Sequence, residues 1–321
     1  MKCGIPQGSS LGPLLFLLYI NDLPNCSKNL KFRIFADDTN VFASSYDGKE
    51  LETLINHEMA KIKMWCDINK LSINFNKTNF MIIKSPRKKE VNITITLKGK
   101  NNTSHSIERK SAIKYLGVFI DSTLSWKQHI SYTCSRIARN TGIISKLRHY
   151  LSLQQLKQLY YTLIYPYISY AIVAWGSAYK SHLQKIQVKQ NHIVRLIFFA
   201  KLYGKETESA LPLLNLLDIL TVENIFQLNI LKFVHLWQAG LLPKQFDSWF
   251  CYANKMHSYN TRYASKQNFL KPRAQTNTGK QTISFAATAI WEKLPLAIKS
   301  LNTFSFQKQS KQYLLTKQYH C

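Results

Sequence analysis

The chain has 321 residues, 45% of them hydrophobic, with 43 Lys and Arg against 17 Asp and Glu and a formal net charge of +26. That length and apolar content suffice for two or three domains with real cores and exclude wholesale disorder. So basic a balance calls for a polyanionic partner, nucleic acid first and an anionic membrane surface second.

The charge is unevenly spread. From Ser122 to Lys205 there is no Asp or Glu, while Lys127, Arg136, Arg139, Lys146, Arg148, Lys157, Lys180, Lys185, Lys189, Arg195, Lys201 and Lys205 all fall inside. From Cys251 to Cys321 the only acid is Glu292. A surface built for solubility alone mixes both signs. A lysine-rich, AT-biased genome would also raise the count, as the abundant Asn and Ile suggest. The cysteines, Cys3, Cys26, Cys66, Cys134, Cys251 and Cys321, show neither C-x-x-C nor zinc-ligand spacing, which fits a reducing compartment. Met1-Lys2-Cys3-Gly4 does not read as a signal peptide, and the apolar run Leu14 to Ile20 is far short of a membrane span. The expected location is intracellular, nucleus or cytoplasm, with no membrane partner.

In chain order, Ser9 or Ser10 can cap a helix with Pro13 in its first turn. Leu14 to Ile20 is apolar all round, which predicts burial of that helix. Leu30, Phe32 and Ile34 alternate as a half-buried strand, and Val41-Phe42 begins a second. Asp37-Asp38 then sits at the tip of a hairpin. Asp47-Gly48-Lys49-Glu50 has capping-box spacing and opens a helix with Leu51, Leu54, Ile55, Met59, Ile62 and Trp65 on one face. Phe80–Ile83 and the strictly alternating Val91, Ile93, Ile95 and Leu97 predict strands, Lys98–Ser104 a turn, and Ile113–Ile120 another strand.

After Asp121 the period becomes helical. Trp126, Ile130, Ile137, Ile144 and Leu147 mark one helix. Leu153, Leu156, Tyr160 and Leu163 mark a second that stops at Pro166, and Leu183, Ile186, Ile193 and Ile197 mark a third. Helices continue through Leu216–Trp237. The pattern weakens from Gln238 to Gly279, then returns from Phe285 to Leu315. The fold class is α+β: an antiparallel sheet with helices, followed by an all-helical basic remainder.

Two adjacent carboxylates on a tight hairpin repel each other, and bound cations relieve that cost. Phosphoryl transfer to a hydroxyl uses two divalent ions about 4 Å apart, and magnesium prefers carboxylate and phosphate oxygens. Glycines at Gly4 and Gly8 let backbone approach a nucleotide closely.

Gly4-Ile5-Pro6-Gln7-Gly8-Ser9, the apolar helix, Asn21-Asp22-Leu23-Pro24 and Phe35-Ala36-Asp37-Asp38-Thr39 together resemble motifs B and C of the reverse transcriptases of non-LTR retrotransposons, of the jockey/CR1-like kind. Trp65, Asn69-Lys70-Leu71, Asn74 and Lys77-Thr78 resemble the family's motif D. Lys114-Tyr115-Leu116-Gly117-Val118-Phe119-Ile120-Asp121, with Leu124, Trp126 and His129-Ile130, resembles its KYLGV…D…L.W..HI stretch. Tyr170, Trp175-Gly176, Leu183 and Ile186-Gln187 resemble its thumb. Thr261-Arg262, Ser284-Phe285, Trp291, Leu294-Pro295 and Phe306 resemble its C-terminal tail.

The resemblance implies part of a right-hand polymerase. Residues 1–121 would be the C-terminal part of the palm, 122–205 a helical basic thumb and 206–321 a helical basic C-terminal domain. It implies RNA-directed DNA polymerase activity on an RNA template, a DNA primer and dNTPs. Asp37 and Asp38 would hold Mg2+, with Mn2+ as a substitute. Gln7, Gly8, Phe35 and Ala36 would lie by the incoming nucleotide and template base. Lys77 would act near the triphosphate as a proton donor to pyrophosphate. Lys114, Tyr115, Leu116 and Gly117 would form the primer grip. Arg136, Arg139, Lys146 and Arg148 would contact nucleic acid.

The family's third carboxylate, from motif A, lies upstream of motif B and has no counterpart in these 321 residues; Asp22 follows motif B and does not match. The chain is therefore expected to be cut before motif A and silent as a polymerase by itself. The alternatives are a non-catalytic nucleic-acid-binding remnant of a degraded element and, against the FADDT and KYLGVFID segments, a group II intron maturase. Oligomeric state is not legible.

Overall fold

The sequence Ser9-Ser10-Leu11-Gly12-Pro13 leads into the first helix of the described residues. The computed structural model describes residues 8–85, 89–99, 103–199, 209–255 and 261–319. It divides at Ile113/Lys114 into two compact units.

In the first unit, Ser9 Oγ accepts a hydrogen bond from Gly12 N at 3.1 Å, and Pro13 sits in the first turn of α1 (Gly12–Ile20). The sequence predicts this helix buried on every side. Instead Leu14, Leu15, Leu17, Leu18 and Tyr19 are exposed, while Ile20 is buried and Phe16 packs beside it. Apolar surface is buried only where a second element covers it, and no described element of this unit covers that face.

β1 (Lys31–Phe35) and β2 (Asp38–Phe42) form an antiparallel hairpin whose register runs from Lys31↔Phe42 to Phe35↔Asp38. Leu30 and Phe32 pack with Ile62 and Cys66 of α2 (Gly48–Ile68). Asp47 caps α2 by accepting from Glu50 N at 3.1 Å. The Glu50 carboxylate takes the Ser45 hydroxyl instead of returning the bond, so the capping box is half formed. Leu51, Ile55 and Met59 face a second cluster with Ile93, Ile95, Leu97 and Ile107.

The predicted strands of this unit are shorter than expected. β3 (Asn79–Phe80) pairs in parallel with β6 (Glu108–Arg109), and β4 (Thr96–Lys98) pairs antiparallel with β5 (Ser104–Ser106). The expected antiparallel sheet is thus a set of two-stranded ladders, one of them parallel. The alternation from Val91 to Leu97 still decides which side chains go in: Ile93, Ile95 and Leu97 are buried, and Asn92, Thr94 and Thr96 are exposed. Side chains of α2 take the place of a neighbouring strand. Thr94 N donates to Glu52 Oε1 and Thr96 N to Asn56 Oδ1, both at 2.9 Å, and Asn56 Nδ2 donates to Thr94 O at 2.9 Å.

At the unit boundary the expected strand Ile113–Ile120 is a hairpin, β7 (Ala112–Tyr115) and β8 (Val118–Asp121). Leu116 at φ 44° and Gly117 at φ 82° reverse the chain between them. The second unit is then helical: α3 (Lys127–Leu147), α4 (Leu153–Leu163), α5 (Tyr165–Ser169), α6 (Ile172–Trp175), α7 (Lys180–Phe199), α8 (Ala210–Leu216) and α9 (Val222–Gln238). The short α10 (Arg262–Ser265) and α11 (Asn277–Lys280) follow, then α12 (Ile283–Glu292), α13 (Leu296–Lys299) and α14 (Thr303–Tyr319). Ser152 and Gln155 form a complete capping box on α4, which ends just before Pro166. Ile130, Ile137 and Ile144 of α3 meet Ile186, Ile193 and Ile197 of α7 at the helical period the sequence shows. The same cluster includes Ile225 and Val234 of α9, Trp291 and Phe306, so residues on both sides of position 205 share one core. Among the described residues no helix is long and apolar enough to cross a membrane.

Candidate active site and nucleic-acid interface

Asp37 completes the two-residue turn Ala36-Asp37, and Asp38 opens β2 opposite Phe35. Ala36 adopts φ 51° to make that turn. The core-facing residues of β1 lie farther along the strand, so both carboxylates are exposed at the tip. Among the described residues neither has a hydrogen-bond or ion-pair partner. Their oxygens are free for a hard cation, and their adjacency makes one favourable. Among the described residues no group of three His, Cys, Asp or Glu is placed to hold a metal. The hairpin thus supplies two carboxylate ligands, and such an ion would keep water or substrate oxygens in its other positions.

Gly8 is exposed at φ 90°, and a Cβ built there would meet nothing within 4 Å. The left-handed backbone needs glycine, and the open space leaves room for a ligand to approach. Gln7 lies outside the described residues. Phe35, at 60% exposure, and Ala36 flank the acidic tip.

Lys77 lies in a turn beyond α2, and the matched residues around it build that turn. Asn69 Nδ2 donates to Trp65 O at 2.9 Å, Lys70 takes φ 54°, and Leu71 N donates to Cys66 O at 2.8 Å, closing α2 as a Schellman stop. Asn74 O then accepts from Lys77 N at 3.1 Å and from Thr78 Oγ1 at 2.8 Å. Lys77 is left exposed, and no ion pair joins it to Asp37 or Asp38.

In the second unit the matched residues converge on the β7–β8 hairpin. Tyr170 Oη donates to Leu116 O at 2.7 Å, and a Cβ on Gly117 would lie 3.3 Å from Tyr170 Cε1. Trp175 Nε1 donates to Tyr170 O at 2.9 Å, and the Trp175 ring meets His129 edge-on at 5.2 Å. His129 Nδ1 accepts from Phe119 N at 3.4 Å, while its buried Nε2 has no hydrogen-bond partner among the described residues. Burial pushes the imidazole down to about 4, so it is neutral at pH 7. Gly176 is required for a different reason: a Cβ there would sit 2.3 Å from Phe226 Cδ2.

Asp121 closes this arrangement. Its carboxylate accepts from Thr123 Oγ1 at 2.6 Å, Ser125 N at 2.9 Å and Trp126 N at 2.7 Å. Burial pushes its pKa up, and these bonds outweigh burial and leave it below the usual carboxylate value. Lys114 and Arg136 stand beside Tyr132, Arg139 and Lys146 are exposed on α3, and Arg148 at its end bonds His149. The predicted site residues thus fall into an acidic hairpin in one unit and a basic hairpin-and-helix surface in the other; Tyr115 is half-buried in β7.

Sequence reasoning gave no role to Tyr132 or Glu58. Glu58 is fully buried on α2, accepting from Asn29 Nδ2 at 2.9 Å and Lys61 Nζ at 2.8 Å. Lys61, Ser27 and Asn29 hold its carboxyl down at about 2. Its place three residues after Ile55 and four before Ile62, on the buried stripe, was the available signal.

Residues 1–120 match the family described as reverse transcriptase, an RNA-dependent DNA polymerase. The chain is 30% identical over 220 residues to a probable RNA-directed DNA polymerase from transposon X-element of Drosophila melanogaster, which covers 64% of this chain and 23% of the relative. It is 27% identical over 214 residues to the RNA-directed DNA polymerase from mobile element jockey of the same organism, covering 63% and 22%. Residues 1–120 carry the reverse transcriptase match, and the chain is similar to the RNA-directed DNA polymerases of these transposons. A type-1 retrotransposable element R1 2 Pol polyprotein of Nasonia vitripennis is 27% identical over 153 residues, covering 46% of this chain and 36% of that protein. The chain spans about a quarter of the length of the first of these relatives. No solved structure matches it.

Proposed function

We propose that this chain supplies the Asp37–Asp38 half of a two-metal polymerase centre, in a protein that copies an RNA template into DNA from a DNA primer and dNTPs. The observation that carries the reading is the pair of exposed carboxylates on the β1–β2 tip, unpartnered among the described residues. In this reading residues 1–121 are the C-terminal part of a palm, 122–205 the thumb and 206–321 a basic C-terminal domain. Asp37 and Asp38 would hold Mg2+, or Mn2+ in its place. Bound ions of this kind activate the primer hydroxyl and neutralise charge on the triphosphate. Gln7 and Gly8, with Phe35 and Ala36, border the nucleotide, and Lys77 delivers a proton to pyrophosphate as it leaves. The primer grip, Lys114 to Gly117, and the thumb cations Arg136, Arg139, Lys146 and Arg148 hold the duplex by its phosphates. The reaction would take place inside the cell, in nucleus or cytoplasm. Primer extension by a polymerase containing this chain is the test: Asp37→Asn should abolish it, and undiminished extension would refute the assignment.

A second reading, a nucleic-acid-binding chain without catalysis, is favoured by the acid-free basic run Ser122–Lys205.

A further inference from the structure

Two cations that the sequence assigns to different elements meet at one aromatic ring. Lys114, on β7, places Nζ 5.2 Å from the ring centroid of Tyr132 and 5.7 Å from that of Phe119. Arg136, one turn along α3 from Tyr132, places Cζ 5.1 Å from the same Tyr132 centroid. Its Nε points at the Tyr132 hydroxyl oxygen, which accepts at 3.1 Å. The Phe119 and Tyr132 rings are 5.2 Å apart and tilted, so hairpin and helix present one aromatic seat to both charges.

Among the described residues no acid is paired with either cation. Ser122–Lys205 contains no Asp or Glu. Asp121, the last residue of β8, is buried and committed to Thr123, Ser125 and Trp126. An aromatic face steadies a cation without neutralising it. Two cations at one ring, with no carboxylate paired to either among the described residues, favour an anion from outside.

We propose that Lys114 and Arg136 act as one clamp on a single backbone phosphate of bound nucleic acid, with Tyr132 as the residue that positions both. The proposal rests on the reading of this unit as a nucleic-acid interface. It joins a primer-grip residue to a thumb residue through a tyrosine that neither motif includes. The contact carries no base information, because a phosphate is common to every sequence.

The experiment measures affinity of the full chain for an RNA–DNA primer–template duplex as a function of salt. The variants are Lys114→Gln, Arg136→Gln, the double variant, Tyr132→Leu and Tyr132→Phe. Each phosphate contact contributes about one unit to the slope of log affinity against log salt. One shared phosphate predicts that either single variant and the double variant lose the same one unit, roughly. Tyr132→Leu should lose it too, with both cations still present. A double variant that loses about two units would overturn the clamp in favour of two separate phosphates. A Tyr132→Leu chain with the wild-type slope would remove the positioning role. If Tyr132→Leu does not fold, Tyr132→Phe decides: it keeps the ring and loses the Arg136 anchor, so reduced affinity supports the proposal and unchanged affinity overturns it. A wild-type chain whose binding ignores salt would instead sink the underlying interface reading.

Discussion

The phenol of Tyr170 reaches back 54 residues to the carbonyl of Leu116, at 2.7 Å, and so fixes the turn of the β7–β8 hairpin. Leu116 holds a left-handed φ of 44° that a leucine avoids by itself. Tyr170→Phe should therefore loosen the turn, costing about 1 kcal/mol in a denaturant melt and weakening duplex binding. Unchanged stability and affinity would show the bond to be incidental. Gly117→Ala should cost more, about 1–2 kcal/mol, because φ 82° and the Tyr170 ring edge both oppose a Cβ.

His129 makes stability depend on pH. Its folded pKa, about 4, lies below the unfolded value of 6.5, because burial disfavours the charged ring. The unfolded chain therefore binds the extra proton. The contribution is complete above about pH 6.5 and is lost as pH falls toward 4, with a slope approaching ~1.4 kcal/mol per pH unit. His129→Gln should flatten urea-melt stability across that window; an unaltered slope would show that the ring is accessible when folded.

Glu58 acts lower on the scale. Its carboxyl is held at about 2 against an ordinary 4.5 by Lys61, Ser27 and Asn29. Its contribution is present above about pH 4.5 and disappears as pH falls toward 2. Glu58→Gln should destabilise the first unit at neutral pH and reduce the acid sensitivity of its unfolding between those values. Acid unfolding that keeps the wild-type midpoint and steepness would contradict the assignment.

The basic residues of the acid-free run Ser122–Lys205 should bind nucleic acid with little sequence preference. Raising salt from about 50 to about 200 mM should cost on the order of a hundredfold in affinity or more, if several of them contact phosphate. Arg139→Ala with Lys146→Ala, both exposed on α3, should weaken binding to all sequences alike and lower the salt slope. A loss confined to one sequence would point to base contacts instead.

Much of this was legible from periodicity. The isoleucines of α3 and α7 fall at helical spacing and meet in the core, and the alternation of β1 predicted a hairpin with Asp37 and Asp38 at its tip. The exposed face of α1 was not legible, because composition reports how apolar a helix is and not whether a neighbour covers it. The Leu116-Gly117 turn hides inside a β-forming run, since Tyr170, far along the chain, stabilises it. The extended segment through Thr94 also looked like an ordinary strand; its backbone partners are Glu52 and Asn56 of a helix. Tyr132 carries no local mark at all: its meaning comes from Lys114 and Arg136 arriving at its ring.

The most direct test of the central claim is primer extension on an RNA template, with magnesium and then manganese. Residues 1–321 assayed by themselves should be silent, since among the described residues no third His, Cys, Asp or Glu joins the two carboxylates, and each ~1.4 kcal/mol of lost charge stabilisation is tenfold in rate. Joined to a palm segment that carries a third carboxylate, the chain should extend the primer, and Asp37→Asn should reduce the rate by on the order of a thousandfold or more. Extension by the Asp37→Asn fusion at the unsubstituted rate would contradict the account, and continued silence of the unsubstituted fusion would favour the non-catalytic reading.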